Sequence, residues 1–238
     1  MKKAIIIGAT SGIGKALAKT LVNDNYKVGI TGRRIEFLVE LSSENPENYY
    51  AKTLDVVDTE KATESIENLV EELGGLDLFV ICSGTGDVNE ALNFEIEKKT
   101  IDVNVMGFTN MANWAFNFFE KQKFGHLVVI SSVAGLRGEW QAPAYNATKA
   151  YQINYTEALR KKSKKTNAQI FVTDIRPGFV DTDMAKGAGL FWVANVEKAA
   201  RQIYNAINKR EKVKYITKRW YFVAMILKRI PNFIYDRM

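Results

Sequence analysis

Residues 4–15 read AIIIGATSGIGK and join three patterns in a row. Four apolar residues come first, a turn rich in glycine and hydroxyl side chains follows, and a segment with helical spacing begins near Lys15. This order is typical of a buried strand, a tight turn and a helix. Glycines there let the backbone approach a pyrophosphate, whose charge the amino end of the helix stabilises. The turn predicts a dinucleotide site, although a glycine turn without a ligand has the same pattern. The candidate residues are Gly8, Thr10, Ser11, Gly12, Ile13 and Gly14.

The rest of the chain continues this alternation of short apolar runs with longer segments of helical period. Seven strands separated by helices predict a doubly wound parallel α/β sheet, whose strands are buried on both faces and therefore read as continuous apolar runs. We expect one domain over residues 1–217, with a long helix between the fourth strand and about Phe119, and a basic amphipathic extension over 218–238. The predicted strands are Ala4–Ile7, Val28–Thr31, Tyr49–Leu54, Leu76–Ile81, Leu127–Ser131, Ile170–Ile175 and Val213–Thr217.

Composition excludes several classes of protein. The chain has 238 residues, 47% hydrophobic and 25% charged, which rules out disordered and fibrous proteins. Its single cysteine cannot form an intrachain disulfide, so we expect a reducing compartment. The run Ala4–Ile7 is too short for a signal peptide, and Trp220–Leu227 is too short to span a membrane. We therefore expect a cytoplasmic protein.

The positive charge lies at one end of the chain. From Lys209 onward there are nine basic and two acidic side chains, a balance of +7, which leaves −1 for residues 1–208 against the total of +6. The main body is therefore not expected to bind nucleic acid, whereas the end of the chain favours an anionic surface.

Tyr145 and Lys149 stand four residues apart in a segment of helical period. Their side chains therefore leave the same face of a helix and can share one site. A nearby ammonium favours a phenolate, so the pair suits general acid–base chemistry. A pair with this spacing on a solvated helix face is the alternative interpretation.

The spacing Gly-x-x-x-Gly-x-Gly, together with Ser132 thirteen residues before Tyr145-x-x-x-Lys149, resembles the short-chain dehydrogenase/reductase family. The resemblance covers about residues 1–217 and implies a Rossmann fold. It also implies that Ser132 polarises a substrate carbonyl, that Tyr145 is the acid/base, that Lys149 lowers the pKa of that tyrosine and binds ribose, and that Asn104 supports a proton relay.

The same resemblance implies the cofactor contacts. The second strand ends in Thr31-Gly32-Arg33-Arg34, without the acid that would bind a ribose 2′-hydroxyl, so we expect NADP(H), with Arg33 or Arg34 on the 2′-phosphate. Two arginines that merely solvate the start of a helix are the alternative. Beyond the glycine turn, Tyr145 and Lys149, the remaining implied contacts are Asp55, Ser83, Gly84, Pro177, Gly178, Val180 and Thr182.

The sequence departs from the family where Ile81-Cys82-Ser83-Gly84 replaces the usual Asn-Asn-Ala-Gly. Main-chain contacts to the cofactor should survive this change, and Cys82 is expected to be a buried filler. One histidine and one cysteine far apart in the sequence predict no metal site. His126, at the entry to the fifth strand, is expected to be structural.

Two segments vary most in this family or lie beyond it. Residues 183–195 combine glycines with Leu190, Phe191 and Trp192, which suggests an apolar lid and an apolar or aromatic carbonyl substrate, unless these rings pack as ordinary core. Residues 218–238 alternate basic pairs with apolar stretches, so they can pack on protein, lie on an anionic membrane or be disordered.

Taken together, the sequence predicts an NADP-dependent oxidoreductase that interconverts a small-molecule carbonyl and an alcohol. By family analogy we expect a homodimer or homotetramer. One alternative is a nucleotide-binding regulatory protein that uses the same fold without turnover. Another is a membrane-peripheral reductase of lipid carbonyls, which contacts the membrane through residues 218–238.

Overall fold

The computed structural model describes residues 1–184 and 191–237. Its centre is one sheet of seven parallel strands in the order β3-β2-β1-β4-β5-β6-β7. The predicted doubly wound sheet is therefore confirmed. The strands are β1 (Lys2–Ile7), β2 (Tyr26–Gly32), β3 (Tyr49–Thr53), β4 (Leu78–Ile81), β5 (Phe124–Ile130), β6 (Gln169–Pro177) and β7 (Val213–Ile216).

The helices cover both faces of this sheet. Those before β7 are α1 (Gly12–Asn23), α2 (Ile35–Ser43), α3 (Thr59–Leu73), α4 (Phe94–Ile101), α5 (Phe108–Gln122), α6 (Pro143–Ser163) and α7 (Val196–Asn208). After β7 come α8 (Lys218–Arg229) and the short α9 (Asn232–Tyr235). Within residues 1–184 and 191–237, no helix is both long and apolar enough to cross a membrane.

Each central strand contributes to two separate cores. In β1, Ala4 and Ile6 point to the core shared with α1, α2 and α7, whereas Ile5 and Ile7 point to the core shared with α3, α5 and α6. Because successive side chains of a strand alternate between faces, both sets must be apolar. This two-sided burial is the reason that the strands read as unbroken apolar runs.

The region between β4 and Phe119 differs from the single long helix predicted. The chain after Ile81 has no regular secondary structure, and α4 begins only at Phe94, where the Asn93 side chain accepts a hydrogen bond from the Glu95 amide. A π-helical turn over Asp102–Gly107 then separates α4 from α5. Glycines and an asparagine cap explain the late start, because they favour a turn over a helix. The segment between β4 and α4 lies beside Asn104 and Lys149.

A buried ion pair fixes the end of β6. Asp174 is fully buried and binds Arg176 Nε at 2.6 Å, and the Ser131 hydroxyl donates to the same carboxylate at 2.5 Å. Arg176 also donates to the Tyr215 hydroxyl at 3.1 Å. Burial raises the pKa of Asp174 despite these partners. The Ser131 hydroxyl therefore ties the end of β5 to β6.

We expect Arg176→Met to lower the free energy of unfolding by about 3–5 kcal/mol, because it leaves the Asp174 carboxylate buried without its cation. Urea denaturation at neutral pH measures this loss. The double variant Asp174→Asn/Arg176→Met should lose clearly less than the sum of the two single variants. Additive losses would show that the pair is not coupled.

Candidate active site

The four predicted catalytic residues meet at the carboxyl edge of the sheet. Ser132 directly follows β5, Tyr145 and Lys149 lie on α6, and Asn104 lies in the π-helical turn. All strands of a parallel sheet end at the same edge, and ligands bind there in open α/β proteins. The fold thus brings together residues that are up to 45 positions apart in the sequence.

The side chains of Ser132 and Tyr145 are close enough to interact, and the Ser132 hydroxyl donates to the Pro177 carbonyl at 3.4 Å. Ser132 also accepts a hydrogen bond from the Ala134 amide at 3.1 Å, which fixes its hydroxyl at the start of a short 3₁₀ turn. Burial raises the pKa of the Tyr145 phenol, and the interaction with Ser132 opposes that rise only in part. In this arrangement the phenol keeps its proton at neutral pH.

Lys149 is buried, and burial lowers its pKa to about 8, against the opposing effects of Cys82 and Asp174. Its Nζ lies 5.8 Å from the centroid of the Tyr145 ring, as expected for a shared helix face. The ammonium donates to the Ile130 carbonyl at 3.2 Å and to Gln152 Oε1 at 2.9 Å. The lysine is thus held beside the tyrosine, although the net pKa shift of the tyrosine is upward and not the lowering expected from its neighbour.

Asn104 joins the segment after β4 to α6. Its Nδ2 donates to the Thr85 carbonyl at 2.7 Å and to Thr148 Oγ1 at 3.0 Å, and its Oδ1 accepts from the Thr85 amide at 2.9 Å. These three bonds occupy the side chain. The backbone carbonyl of Asn104 remains directed at α6, where it accepts from Gln152.

Gln152 is a functional candidate that the sequence reasoning missed. It is 1% exposed, and both ends of its amide are used: Oε1 accepts from Lys149 Nζ, and Nε2 donates to the Asn104 carbonyl at 2.9 Å. The signal was present in the sequence, because Gln152 is three residues after Lys149 and so shares its helix face. It links Lys149 to Asn104, the residue expected to support a proton relay.

The glycine turn has the close approaches that a pyrophosphate site requires. Gly8 has φ +90° and Gly12 has φ +53°, which favour glycine. A Cβ on Gly8 would lie 2.8 Å from the Ser83 amide nitrogen, and one on Gly12 would lie 3.0 Å from Thr182. The turn therefore touches the segments after β4 and β6, as one cofactor spanning them would require.

Two further observations fit a bound nicotinamide dinucleotide. The Ser83 hydroxyl is buried and has no hydrogen-bond partner, so it is available to a ligand in this crevice. A Cβ on Gly84 would lie 3.4 Å from both Lys149 Nζ and Asn104 Oδ1, so a larger residue there would fill the space beside the lysine. The described residues thus fit the cofactor that the glycine turn predicts.

Arg34 and Arg33 differ in their contacts. Arg34 donates from one guanidinium nitrogen to Thr10 Oγ1 at 2.8 Å and to Ser11 Oγ at 2.9 Å, which ties it to the glycine turn. Arg33 is exposed at the same edge of the sheet. Asp55 is also exposed there, after β3, where its carboxylate accepts from the Val57 amide. All three residues are placed around the predicted adenosine end.

The segment after β6 closes the other side of the crevice. Gly178 donates its amide to the Ile216 carbonyl at 2.7 Å, and the Thr182 hydroxyl donates to the Val180 carbonyl at 3.2 Å. The ring of Trp220 lies where a Cβ on Gly178 would be, at 2.0 Å. Pro177, the last residue of β6, brings this turn to the edge where Ser132 lies.

The predicted lid is only partly described, since Leu190 lies outside the described residues. Phe191 stacks on Trp220 with ring centroids 5.2 Å apart and meets Phe179 edge-on at 5.8 Å. Phe191 and Trp192 are each 49% exposed. Phe191 therefore packs on Phe179 and on Trp220 of the extension, but at this exposure neither ring is ordinary core, and both present an apolar surface to solvent.

Cys82, expected to be a buried filler, packs on the core but is only partly buried, whereas His126 is buried. Burial raises the pKa of the Cys82 thiol to about 12, and its amide donates to the Ile7 carbonyl, so the β1–β4 pairing continues despite the changed motif. His126 is buried near the amino end of β5, where its ring bonds the Thr173 hydroxyl and burial lowers its pKa to about 4. Across the described parts of the chain, no group of His, Cys, Asp or Glu is arranged to hold a metal ion.

Comparisons with known proteins agree with this geometry. The profile of the short chain dehydrogenase family matches residues 2–190. An uncharacterized oxidoreductase of Staphylococcus saprophyticus is 33% identical over 190 residues, which cover 77% of this chain and 80% of that protein. Among solved structures, ElxO with NADP bound has 26% identity and a TM-score of 0.78, covering 90% of this chain and 96% of that one. A Burkholderia phymatum short chain dehydrogenase/reductase in complex with NAD shares the fold at 18% identity and a TM-score of 0.84, over 94% and 92% of the two chains. With its seven-stranded parallel sheet and its glycine turn, this chain is a member of the short-chain dehydrogenase/reductase family.

Proposed function

We propose that this protein is an NADP(H)-dependent oxidoreductase that interconverts a carbonyl and an alcohol on a small apolar molecule. The observation that carries the proposal is the grouping of Ser132, Tyr145 and Lys149 beside a glycine turn that fits a dinucleotide. The cofactor supplies or accepts the hydride; the protein's own groups position the substrate and move the proton.

In the direction of reduction, the Ser132 hydroxyl donates a hydrogen bond to the substrate carbonyl and polarises it. Tyr145 donates its phenolic proton to the oxygen as negative charge develops there. The raised pKa of this phenol suits that role, because it keeps the proton in place until it is needed. Lys149 stabilises the phenolate that remains and would hold the ribose of the cofactor.

The cofactor would lie across the carboxyl edge of the sheet. The glycine turn would hold the pyrophosphate, with Ser83 and Gly84 on the adjoining ribose and Asp55 near the adenine. Val180 and Thr182, beyond the Pro177-Gly178 turn, would orient the nicotinamide, which makes the transfer of hydride an oriented, nearly unimolecular step.

Arg33 and Arg34 support NADP(H) over NAD(H), because they stand directly after β2, where a carboxylate would repel a 2′-phosphate. Arg34 is held at the turn by Thr10 and Ser11, so it is positioned before a ligand arrives. ElxO, whose solved structure contains NADP, offers a relative that binds this cofactor. The family also implies a dimer or tetramer, which we propose here on that ground.

We further propose Gln152 as a positioning residue. It accepts a hydrogen bond from the Lys149 ammonium and fixes it to the Asn104 carbonyl, on a relay that refills the proton of Tyr145. The Gln152 amide is neutral, and the titratable groups that raise the pKa of Lys149 against its burial are Cys82 and Asp174. An acceptor at this place favours the charged form of the lysine.

Tyr145→Phe should lower turnover at least about 100-fold, because the phenyl ring has no proton to donate. Oxidation of NADPH by a broad panel of apolar aldehydes and ketones measures the loss. Tyr151→Phe, on the same helix, is the matched control and should stay within a few-fold of the parent. Near-normal turnover of Tyr145→Phe would show that Tyr145 is not the proton donor. NADPH binding by the parent protein without turnover of any carbonyl would favour a nucleotide-binding regulatory protein.

Calorimetric titration should show tighter binding of NADPH than of NADH. Arg33→Asp and Arg34→Asp should each weaken NADPH binding by roughly 10–100-fold, the effect of losing a charge-assisted hydrogen bond and adding repulsion. NADH binding should change little in Arg33→Asp, which tests the 2′-phosphate contact specifically. Equal affinities for both cofactors in the parent protein would contradict the assignment.

Gln152→Leu should move the alkaline limb of the kcat/KM profile down by about one pH unit, because Lys149 loses an acceptor that favours its charged form. Gln152→Glu should move the same limb upward, since a carboxylate favours the ammonium further. Thr156→Val, one turn along α6, is the control for a general packing defect. If the alkaline limb moves in the same direction in both Gln152 variants, Gln152 has only a structural role.

A further inference from the structure

The extension after β7 folds back on the body of the protein. Trp220 and Ala224 on α8 are buried, with Trp220 against Phe179 at a ring separation of 5.2 Å. Arg137 donates to the Ile230 carbonyl at 3.1 Å, and the Tyr235 hydroxyl donates to the Gly138 carbonyl at 2.6 Å. These contacts fix α8 and α9 at the same edge of the sheet as the active site.

The opposite face of α8 remains apolar and exposed. Phe222 is 68% exposed and Ile226 is 63% exposed, and they lie one helical turn apart on the same face. With Met225, Arg229 and Ile230 they line a shallow groove of about 430 Å³. Phe233 on α9 is a further exposed ring. Packing on the body therefore leaves part of the apolar surface of the extension in water.

Basic side chains flank this apolar surface at both ends of α8. Lys218 and Arg219 begin the helix, and Lys228 and Arg229 end it, and all four are exposed. Between residues 212 and 237 the only acidic side chain is Asp236. Residues 218–237 carry five basic side chains and one acidic one, a balance of +4 out of the total of +6.

We propose that the surface formed by α8 and α9 docks on an anionic lipid bilayer. Its exposed rings and aliphatic side chains would enter the interface between headgroups and acyl chains, while the basic pairs contact the headgroup charges. A second copy of the chain is a poorer occupant, because a two-fold contact would place two basic faces against each other. Charge complementarity therefore selects the lipid surface.

Docking in this way would direct the carboxyl edge of the sheet, with Ser132 and Tyr145, toward the membrane. Where the proposed reductase activity also holds, the substrate class becomes an apolar carbonyl compound dissolved in the bilayer. That consequence rests on the proposed function, whereas the docking does not, and the test below needs no turnover.

The test is co-sedimentation of the full chain with vesicles of phosphatidylcholine alone and of an equimolar mixture of phosphatidylcholine and phosphatidylglycerol. We expect binding to the mixed vesicles that weakens as salt is raised, and little binding to phosphatidylcholine alone. Equal binding to both compositions, or binding to neither, would overturn the proposal.

Two double variants test the two parts of the surface. Lys228→Gln/Arg229→Gln removes charge, and Phe222→Ser/Ile226→Ser removes exposed apolar groups that are already solvated in the folded protein. Each should weaken binding to the mixed vesicles at least about tenfold. The matched controls are Lys164→Gln/Lys165→Gln and Val39→Ser/Phe124→Ser, which alter exposed residues elsewhere and should bind as the parent does.

Thermal unfolding and gel filtration accompany the binding assay. Unchanged melting shows that a loss of binding comes from the surface and not from misfolding. Vesicle binding that survives both double variants would overturn the proposal. A larger assembly that splits when Phe222 and Ile226 are replaced, in a protein that does not bind vesicles, would assign the surface to a second copy of the chain.

Discussion

The parallel pairing of β1 with β4 is the constraint on which the rest of the structure depends. It continues past the last strand residue, since the Cys82 amide donates to the Ile7 carbonyl, and it brings Gly8 into contact with the Ser83 backbone. Only glycine tolerates that approach at φ +90°. The order of the sheet reverses here, because β1 lies between β2 and β4, and a crevice opens at such a point in doubly wound sheets.

Around that crevice, buried polar side chains fix the positions of Asn104 and Lys149. Asn104 holds Thr85 on one side and Thr148 on the other, and Gln152 connects the Asn104 carbonyl to Lys149. A network of this kind is costly to leave incomplete in a buried site, which is why its members specify one arrangement. These contacts hold Lys149 near Tyr145 in a buried position, and the burial lowers the pKa of the lysine.

The extension is part of the same end of the molecule. Trp220 occupies the space beside Gly178 and stacks on Phe191, so it joins α8 to the turn after β6 and to the partly described lid. The helix face that is not used in this packing carries apolar and basic side chains together. The crevice and the exposed face are therefore neighbours, although nothing in their spacing along the chain indicates it.

The sequence by itself determined the sheet, its flanking helices and the family, because two-sided burial demands continuous apolar strands and because a glycine turn between a strand and a helix is a local feature. The Tyr145–Lys149 pair was predictable for the same reason, since spacing on one helix fixes a shared face. Tertiary structure alone decided that the Ser131 hydroxyl binds the Asp174 carboxylate, and that Gln152 joins Lys149 to Asn104. Each of these depends on groups from different elements that meet only when the sheet is assembled. The same is true of the face that α8 buries, because an amphipathic pattern shows that a helix has an apolar side but not what covers it.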